Sequence, residues 1–220
     1  MSRSAVRPPA RAAPPPPKQA RSRAALNRLF SGVEQVIAER GVANLTVQDV
    51  AARAGLAVGT LYTRFAGKDA LLRAFTVDFF GRARRTAETV LDDSRWGGLP
   101  PRELVAAVVR MLVRSYRAKR GLLRALHLYV RTHPDTELTN LAAAFNAEFV
   151  RRLTGLLLRH PNAVAHPEPE RAVLLGFLMV DAGARETILF GDGRPPDQAV
   201  PDDELIETLT QLYCRFLDLP

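Results

Sequence analysis

The sequence has little of what catalytic and metal sites are made from. Its 220 residues contain one cysteine, Cys214, which excludes an intrachain disulfide framework and a cysteine-based zinc site and is typical of a reducing compartment. No two of its four histidines have the spacing of a zinc-binding helix. The sequence also lacks a glycine-rich phosphate loop and a nucleophile elbow. We therefore predict a protein that is not an enzyme and needs no metal or cofactor.

Long apolar runs are missing as well. The longest run, from Ala172 to Val180, has nine residues, whereas a transmembrane helix needs roughly 20. The N-terminus is basic but has no apolar segment of the kind found in a signal peptide. With 47% hydrophobic and 25% charged residues, the composition predicts a globular cytoplasmic protein with no membrane partner.

Positive charge is concentrated at the N-terminus. The net charge is +8, and seven arginine or lysine residues precede the first acidic residue, Glu34. A basic segment of this kind is typical of a protein that binds phosphates. Residues 1–22 are also rich in proline and have no periodic apolar positions, so we predict a disordered arm. The arm serves either as a solubilising tail or as a segment whose Arg21 and Arg23 enter a minor groove.

The stretch from Thr46 to Phe65 predicts two short helices joined at Gly55. Thr46 followed by Asp49 has the form of a capping box, so the first helix should begin there. Gly55 can take the positive φ of a sharp turn, and residues 57–65 would form the second helix. This arrangement is typical of a helix-turn-helix DNA reader, although an ordinary helix pair gives a similar pattern. Small apolar residues recur on one face of the first helix, at Val47, Val50, Ala51 and Ala54.

The flanking residues make the pattern more specific. The segment GTLYTRFAGKDALL, from Gly59 to Leu72, follows an AxxAGL run that begins at Ala51. Residues 29–75 thereby resemble the N-terminal domain of the TetR family of transcriptional regulators. The resemblance implies a three-helix DNA-binding domain, dimerisation through the last two helices and a C-terminal domain that binds a small molecule. The chain departs from the family pattern at Ala57, where a Ser or Thr N-cap is usual, and at Arg64, where an aromatic residue or His is usual.

We predict that the second helix and its flanks contact double-stranded DNA. The residues expected to face bases are Val58, Gly59, Thr60 and Thr63. The residues expected to hold phosphates are Thr46, Tyr62, Arg64 and Lys68. Because valine and the threonine methyl groups offer only apolar contact to thymine methyls, direct readout of the sequence should be modest.

Helical patterns continue to the C-terminus. A first helix should run from about Ala20 to Arg40, and a long helix should begin at Lys68 and end near Leu91. The breaker cluster from Asp92 to Pro101 precedes five further helical segments, at about 101–118, 121–132, 135–160, 168–190 and 202–218. We therefore predict an all-α chain of about nine helices, with a helix-turn-helix domain at 23–67 and a ligand-binding and dimerisation domain at 68–220.

The last two helices carry surplus apolar surface. The run from Ala172 to Val180 is apolar on every face, so its helix should be buried on two sides. We predict a four-helix dimer interface, the alternative being that both helices complete a monomer core. The residues predicted for the interface are Gly176, Val180, Gly183, Thr187, Leu205, Leu209, Leu212 and Phe216.

A pocket for a hydrophobic or amphipathic effector is predicted between the middle helices, mainly from the family resemblance. The predicted ligand residues form a mostly apolar set with few polar groups, as ligand cavities do; they are Met111, Tyr116, His127, Phe145, Phe149, Phe177 and Asp181. Each of them is also an ordinary core residue in the alternative interpretation. We thus expect a dimeric repressor that binds a palindromic operator and is released by the effector. An activator or architectural DNA-binding protein without an inducer, or a helical small-molecule-binding module, is the alternative.

Overall fold

The chain forms a bundle of ten α-helices. The computed structural model describes residues 18–133, 135–159, 164–193, 195 and 198–219, and these ranges contain no strand. The helices, numbered in chain order, are α1 (Lys18–Arg40), α2 (Val47–Ala54), α3 (Val58–Tyr62), α4 (Lys68–Val90), α5 (Asp93–Trp96), α6 (Pro101–Ala118), α7 (Arg120–Thr132), α8 (Thr136–Leu157), α9 (Pro169–Leu189) and α10 (Asp202–Phe216).

The predicted all-α class is confirmed, and two details of the prediction need correction. Helix α1 begins at Lys18, so residues 18–22 are helical, whereas the rest of the predicted arm lies outside the described residues. The breaker cluster contains the short helix α5, which raises the number of helices above nine. The Trp96 side chain is buried, and its indole nitrogen donates to the Val90 carbonyl oxygen at 2.5 Å. This anchor folds the turn after α4 onto the core.

The N-terminal core includes more than the three helices of the predicted DNA-binding domain. Leu71, Leu72 and Phe75 of α4 belong to the same buried cluster as the apolar faces of α1, α2 and α3. Helix α7 contributes Leu122 and Leu126 to this cluster, although it lies about 80 residues after α1 in the sequence. The apolar core therefore crosses the predicted boundary at residue 67, and α7 is packed directly on the DNA-binding region.

The second core lies among α6, α8, α9 and α10. Tyr213 of α10 is completely buried, and its hydroxyl donates to the carbonyl oxygen of Val173 on α9 at 2.7 Å. Cys214 is also buried, and burial raises the pKa of its thiol. Across the described ranges, no helix combines the length and hydropathy that crossing a membrane requires.

Candidate functional site

The start of α2 is fixed by the predicted capping box. The Thr46 hydroxyl accepts a hydrogen bond from the Asp49 backbone N–H at 3.1 Å and donates to the Asp49 carboxylate at 2.7 Å. Arg40 of α1 donates to the same carboxylate at 3.0 Å. The hydrogen bond from Thr46 and the charge of Arg40 hold the pKa of Asp49 below its ordinary value. The Thr46 side chain is therefore committed to the cap, and a second contact joins α2 to α1.

A bidentate ion pair braces the other end of α2. The Arg53 guanidinium binds both carboxylate oxygens of Glu39 on α1, each at 2.5 Å, and holds the pKa of Glu39 below its ordinary value. Between these contacts, the apolar face of α2 is buried against α1. Helix α2 thus forms a fixed support for α3.

The turn between α2 and α3 follows the sequence prediction. Gly55 has φ of 63°, in the left-handed region that favours glycine, and the Leu56 backbone N–H donates to the Ala51 carbonyl oxygen at 3.0 Å. Helix α3 is shorter than predicted because it comprises only Val58–Tyr62. Its N-cap is Ala57, which makes no side-chain hydrogen bond, and this missing bond leaves a backbone N–H at the start of α3 open to another acceptor.

The outer surface of α3 presents polar groups and bare backbone. Leu61 is buried and anchors the helix to the core. Tyr62 is 51% exposed, and a side chain added at Gly59 would meet no atom within 4 Å. The other predicted contact residues on this surface are also exposed, namely Thr60, Thr63 and Arg64.

Val58 and Lys68 differ from their predicted roles. Val58 is half-buried and packs against the N-terminal core, because it lies three residues before Leu61 on the same helix face. It therefore supports α3 and is not a base-facing residue. The Lys68 ammonium donates to the carbonyl oxygen of Ala43 at 2.9 Å, which ties the start of α4 to the loop before α2. Sequence reasoning missed this tie because it joins residues 25 positions apart.

Three of the predicted ligand residues meet in a polar cluster between α6, α7 and α9. The Tyr116 hydroxyl donates to Asp181 at 2.6 Å, and Arg185 donates to the other oxygen of Asp181 at 2.5 Å. The His127 ring lies edge-on to Tyr116, with 6.4 Å between ring centroids. Burial and the Asp181 charge raise the pKa of Tyr116, whereas burial and the Arg185 charge lower the pKa of His127. The sequence had suggested Arg185 only as a local partner of the carboxylates.

The predicted apolar ligand residues are packed in the second core. Phe149 and Phe177 are buried, with ring centroids 5.0 Å apart, and Met111 and Phe145 are half-buried against the same core. Two surface cavities, of about 120 Å³ and 440 Å³, lie elsewhere and are lined by none of the predicted ligand residues. A ligand could enter this region only if these side chains moved.

Most of the residues predicted for the dimer interface face inward, which corrects that prediction. Gly176 packs under the ring of Tyr213, because a Cβ added there would lie 2.2 Å from a ring carbon. Gly183 faces Leu209, and Thr187 lines the smaller cavity. The small residues on α9 therefore accommodate α10 of the same chain. The remaining residues of the set, apart from exposed Leu212, are buried or half-buried within the protomer, namely Val180, Leu205, Leu209 and Phe216.

The opposite face of α9 presents the exposed apolar surface. Four large side chains on it are between 37% and 43% exposed, namely Leu174, Leu175, Leu178 and Met179. Leu212 of α10 is 45% exposed. Contiguous exposed apolar side chains of this size mark an interaction surface. Sequence analysis recognised that this helix is apolar on every face but selected the wrong face.

Two family profiles match the chain. Residues 29–75 match the profile described as "Bacterial regulatory proteins, tetR family". Residues 100–217 match the profile described as "Tetracyclin repressor-like, C-terminal domain". A search of curated proteins gives no match.

Several solved structures have the same fold at low sequence identity. The regulator FadR from Bacillus subtilis, solved in complex with stearoyl-CoA, shares 19% identity with a TM-score of 0.59, covering 86% of this chain and 97% of that one. A TetR transcription regulator from Haloarcula marismortui shares 15% identity with a TM-score of 0.63, covering 90% and 97%. GusR from Salmonella enterica shares 15% identity with a TM-score of 0.59, covering 88% and 95%. At these identities the similarity shows the fold alone.

Proposed function

Because the chain belongs to the TetR family and is a DNA-binding transcriptional regulator, we propose that it is a homodimeric cytoplasmic repressor, released from a palindromic operator by a small-molecule effector. The observation that carries the proposal is the surface of α3. There, Gly59, Thr60 and Tyr62 face outward from a helix anchored by Leu61. A helix held in this way can enter a major groove with its exposed side chains toward the bases.

The contacts around α3 divide into base-facing and phosphate-facing groups. Gly59 permits close approach of the backbone, and Thr60 and Thr63 are the side chains that remain for the bases. Thr63 donates its hydroxyl to the Thr60 carbonyl oxygen at 2.9 Å, so its methyl group is its main contribution to readout. Tyr62 and Arg64 are exposed at the end of α3 and are suited to phosphates. Two such helices in a two-fold dimer require a palindromic site.

The dimer is proposed to form through the exposed apolar face of α9 together with Leu212 of α10. This face ends in exposed Arg171 on one side and exposed Glu186 on the other. Their midpoint in the sequence lies between Leu178 and Met179, so an antiparallel α9 pair centred there brings Arg171 opposite Glu186 of the partner subunit. The interface is then self-complementary, as two-fold symmetry requires.

The effector is proposed to occupy the region of the Tyr116, His127, Asp181 and Arg185 cluster. The cluster supplies hydrogen-bonding groups at one side of an apolar core, which suits an amphipathic molecule. The related fold of FadR was solved with stearoyl-CoA, an amphipathic ligand. Helix α7 carries His127 and also packs on the DNA-binding region, so a change at the cluster can shift the balance between DNA-bound and released states.

Selection of bound sequences from a random duplex pool tests the proposal directly. We expect enrichment of a palindrome with half-sites about one helical turn apart or more. Effectors are then screened for release of this duplex. A bound pool without two-fold symmetry would contradict the dimeric repressor, whereas a palindrome that no effector releases would favour the activator or architectural protein.

Substitutions on α3 should separate charge from hydrogen bonding in DNA binding. Arg64→Gln should reduce the slope of log affinity against log salt by about 0.9 for each protomer. Tyr62→Phe should weaken binding about tenfold at fixed salt without changing the slope, since it removes a hydrogen bond to a charged group but no charge. Fluorescence anisotropy on the selected duplex over a salt series measures both effects.

The matched control is Arg110→Gln, which makes the same charge change at an exposed position of α6. It should leave both the affinity and the slope unchanged. Equal effects of Arg64→Gln and Arg110→Gln would mean that α3 does not dock as proposed.

A further inference from the structure

A basic cavity lies where the end of α6 and the start of α7 meet the end of α9. Its volume is about 120 Å³, and it is distinct from α3 and from the exposed face of α9. Residues of α6, α7, α9 and the segment before α10 line it, including Arg117, Arg120, Thr187, Gly191, Gln198 and Val200.

Carboxylates of the same chain already bind the arginines at this cavity. Asp192 receives Arg120 on one oxygen and Arg124 on the other. Asp202 accepts from Nε of Arg117 at 2.6 Å. The Arg120 and Arg124 guanidinium groups hold the pKa of Asp192 below its ordinary value. The Asp192 side chain is 48% exposed, so it can leave the two arginines without uncovering a buried core.

The three guanidinium groups have hydrogen-bonding capacity to spare. Each carries five N–H donors. In the described part of the chain, Arg117 donates to Asp202, Arg120 donates to Asp192 and to the Ile188 carbonyl oxygen, and Arg124 donates to Asp192. Three positive charges therefore face two carboxylates, and most of the donors remain available to a further acceptor.

The surrounding sequence favours an anion. Between residues 101 and 132 there are eight arginine or lysine residues and one glutamate, which gives this segment a net charge of +7. Residues 133–220 have a net charge of −7. Positive charge in the second half of the chain is thus concentrated on α6 and α7, where it raises the local concentration of anions.

We propose that this cavity binds the phosphate group of a small molecule, which replaces Asp192 on Arg120 and Arg124 and also contacts Arg117. A free carboxylate offers the same two oxygens and the same charge as Asp192, which has the advantage of being tethered at an effective concentration in the millimolar range. A phosphate group has a third oxygen and a charge of about −1.5 to −2. It can therefore displace Asp192, and a carboxylate cannot.

Binding at this cavity would act on the contact between α7 and α9. Asp192 follows α9 directly, and its ion pairs hold that end of α9 to α7. The start of α7 also approaches α1, since a Cβ added at Gly121 would lie 3.7 Å from the Cα of Ala38. An effect on DNA affinity rests on the proposed function, whereas phosphate binding itself does not.

Calorimetric titration of inorganic phosphate into the full-length protein, with ionic strength held constant by KCl, tests the site. We expect one phosphate per protomer and no saturable binding of acetate. Arg120→Gln should weaken phosphate binding at least about tenfold, and Asp192→Asn should strengthen it about tenfold, since the internal competitor loses its charge. Arg110→Gln is the matched control and should leave phosphate binding unchanged.

The opposite signs of the two substitutions make the outcome decisive. Non-specific attraction to a basic surface would make Arg110→Gln and Arg120→Gln equivalent, and this result would overturn the proposal. Weaker or unchanged binding by Asp192→Asn, or acetate binding equal to that of phosphate, would overturn it as well. Melting temperatures of all variants identify any loss of fold, and Asp192→Asn still tests the site if Arg120→Gln fails to fold.

Discussion

Leu178→Glu is expected to convert the dimer into a monomer. The substitution places one carboxylate from each protomer near the two-fold axis of the antiparallel α9 pair, in a surface made of exposed leucine and methionine side chains. Burying an unpaired charge costs about 4 kcal/mol, which corresponds to roughly a thousandfold increase in the dimer dissociation constant. Sedimentation velocity at micromolar concentration measures the change. DNA affinity should fall with it, because a monomer contacts only one half-site.

Leu128→Glu is the matched control for this experiment. Leu128 lies on α7 and is 44% exposed, close to the 43% of Leu178, but it is outside the α9 face. It should leave the protein dimeric. A dimer that survives Leu178→Glu, or one that Leu128→Glu also dissociates, would show that α9 does not form the interface.

Charge reversal should test the register of the same interface. Arg171→Glu or Glu186→Arg alone should weaken the dimer, because each places like charges opposite each other twice in the dimer. The double variant should recover most of the wild-type dissociation constant, since the pairs are restored with reversed sign. Failure of the double variant to recover would reject this register while leaving the α9 face itself to the Leu178→Glu experiment.

Gly176→Ala is expected to destabilise the protomer by about 3 kcal/mol, at the upper end of the usual range for overpacking. The added Cβ would lie 2.2 Å from a ring carbon of Tyr213. Tyr213 cannot move aside easily, because it is completely buried and its hydroxyl is bonded to the Val173 carbonyl oxygen. Denaturant unfolding measured by circular dichroism gives the free energy of unfolding.

Two other glycines provide graded controls for Gly176→Ala. Gly183→Ala should cost less, because its Cβ would meet only the end of the flexible Leu209 side chain, at 3.0 Å. Gly155→Ala should stabilise α8 by about 0.5–1 kcal/mol, since nothing lies within 4 Å and alanine is the better helix former. If Gly176→Ala left the free energy of unfolding unchanged but dissociated the dimer, the small-residue face of α9 would be a partner surface after all.

The helix-turn-helix could be predicted from the sequence because its signals are local. The capping box of Thr46 and Asp49 spans three residues, and the turn depends on the one residue that readily adopts positive φ, Gly55. The missing side-chain cap at Ala57 was also readable, since a cap depends on the identity of a single residue. The helical segments beyond residue 100 follow from the same kind of short-range periodicity.

The sequence by itself therefore determined the all-α class, the DNA-binding motif and its outward polar residues. Only the tertiary structure decided which neighbour covers each face. Val58 turned toward the core, Lys68 became a tie to Ala43, α7 joined the N-terminal core, and the small residues of α9 received α10 while its leucines remained exposed. The physical reason is that helix periodicity depends on residues three and four apart, whereas the partner of an apolar face is set by packing between distant segments.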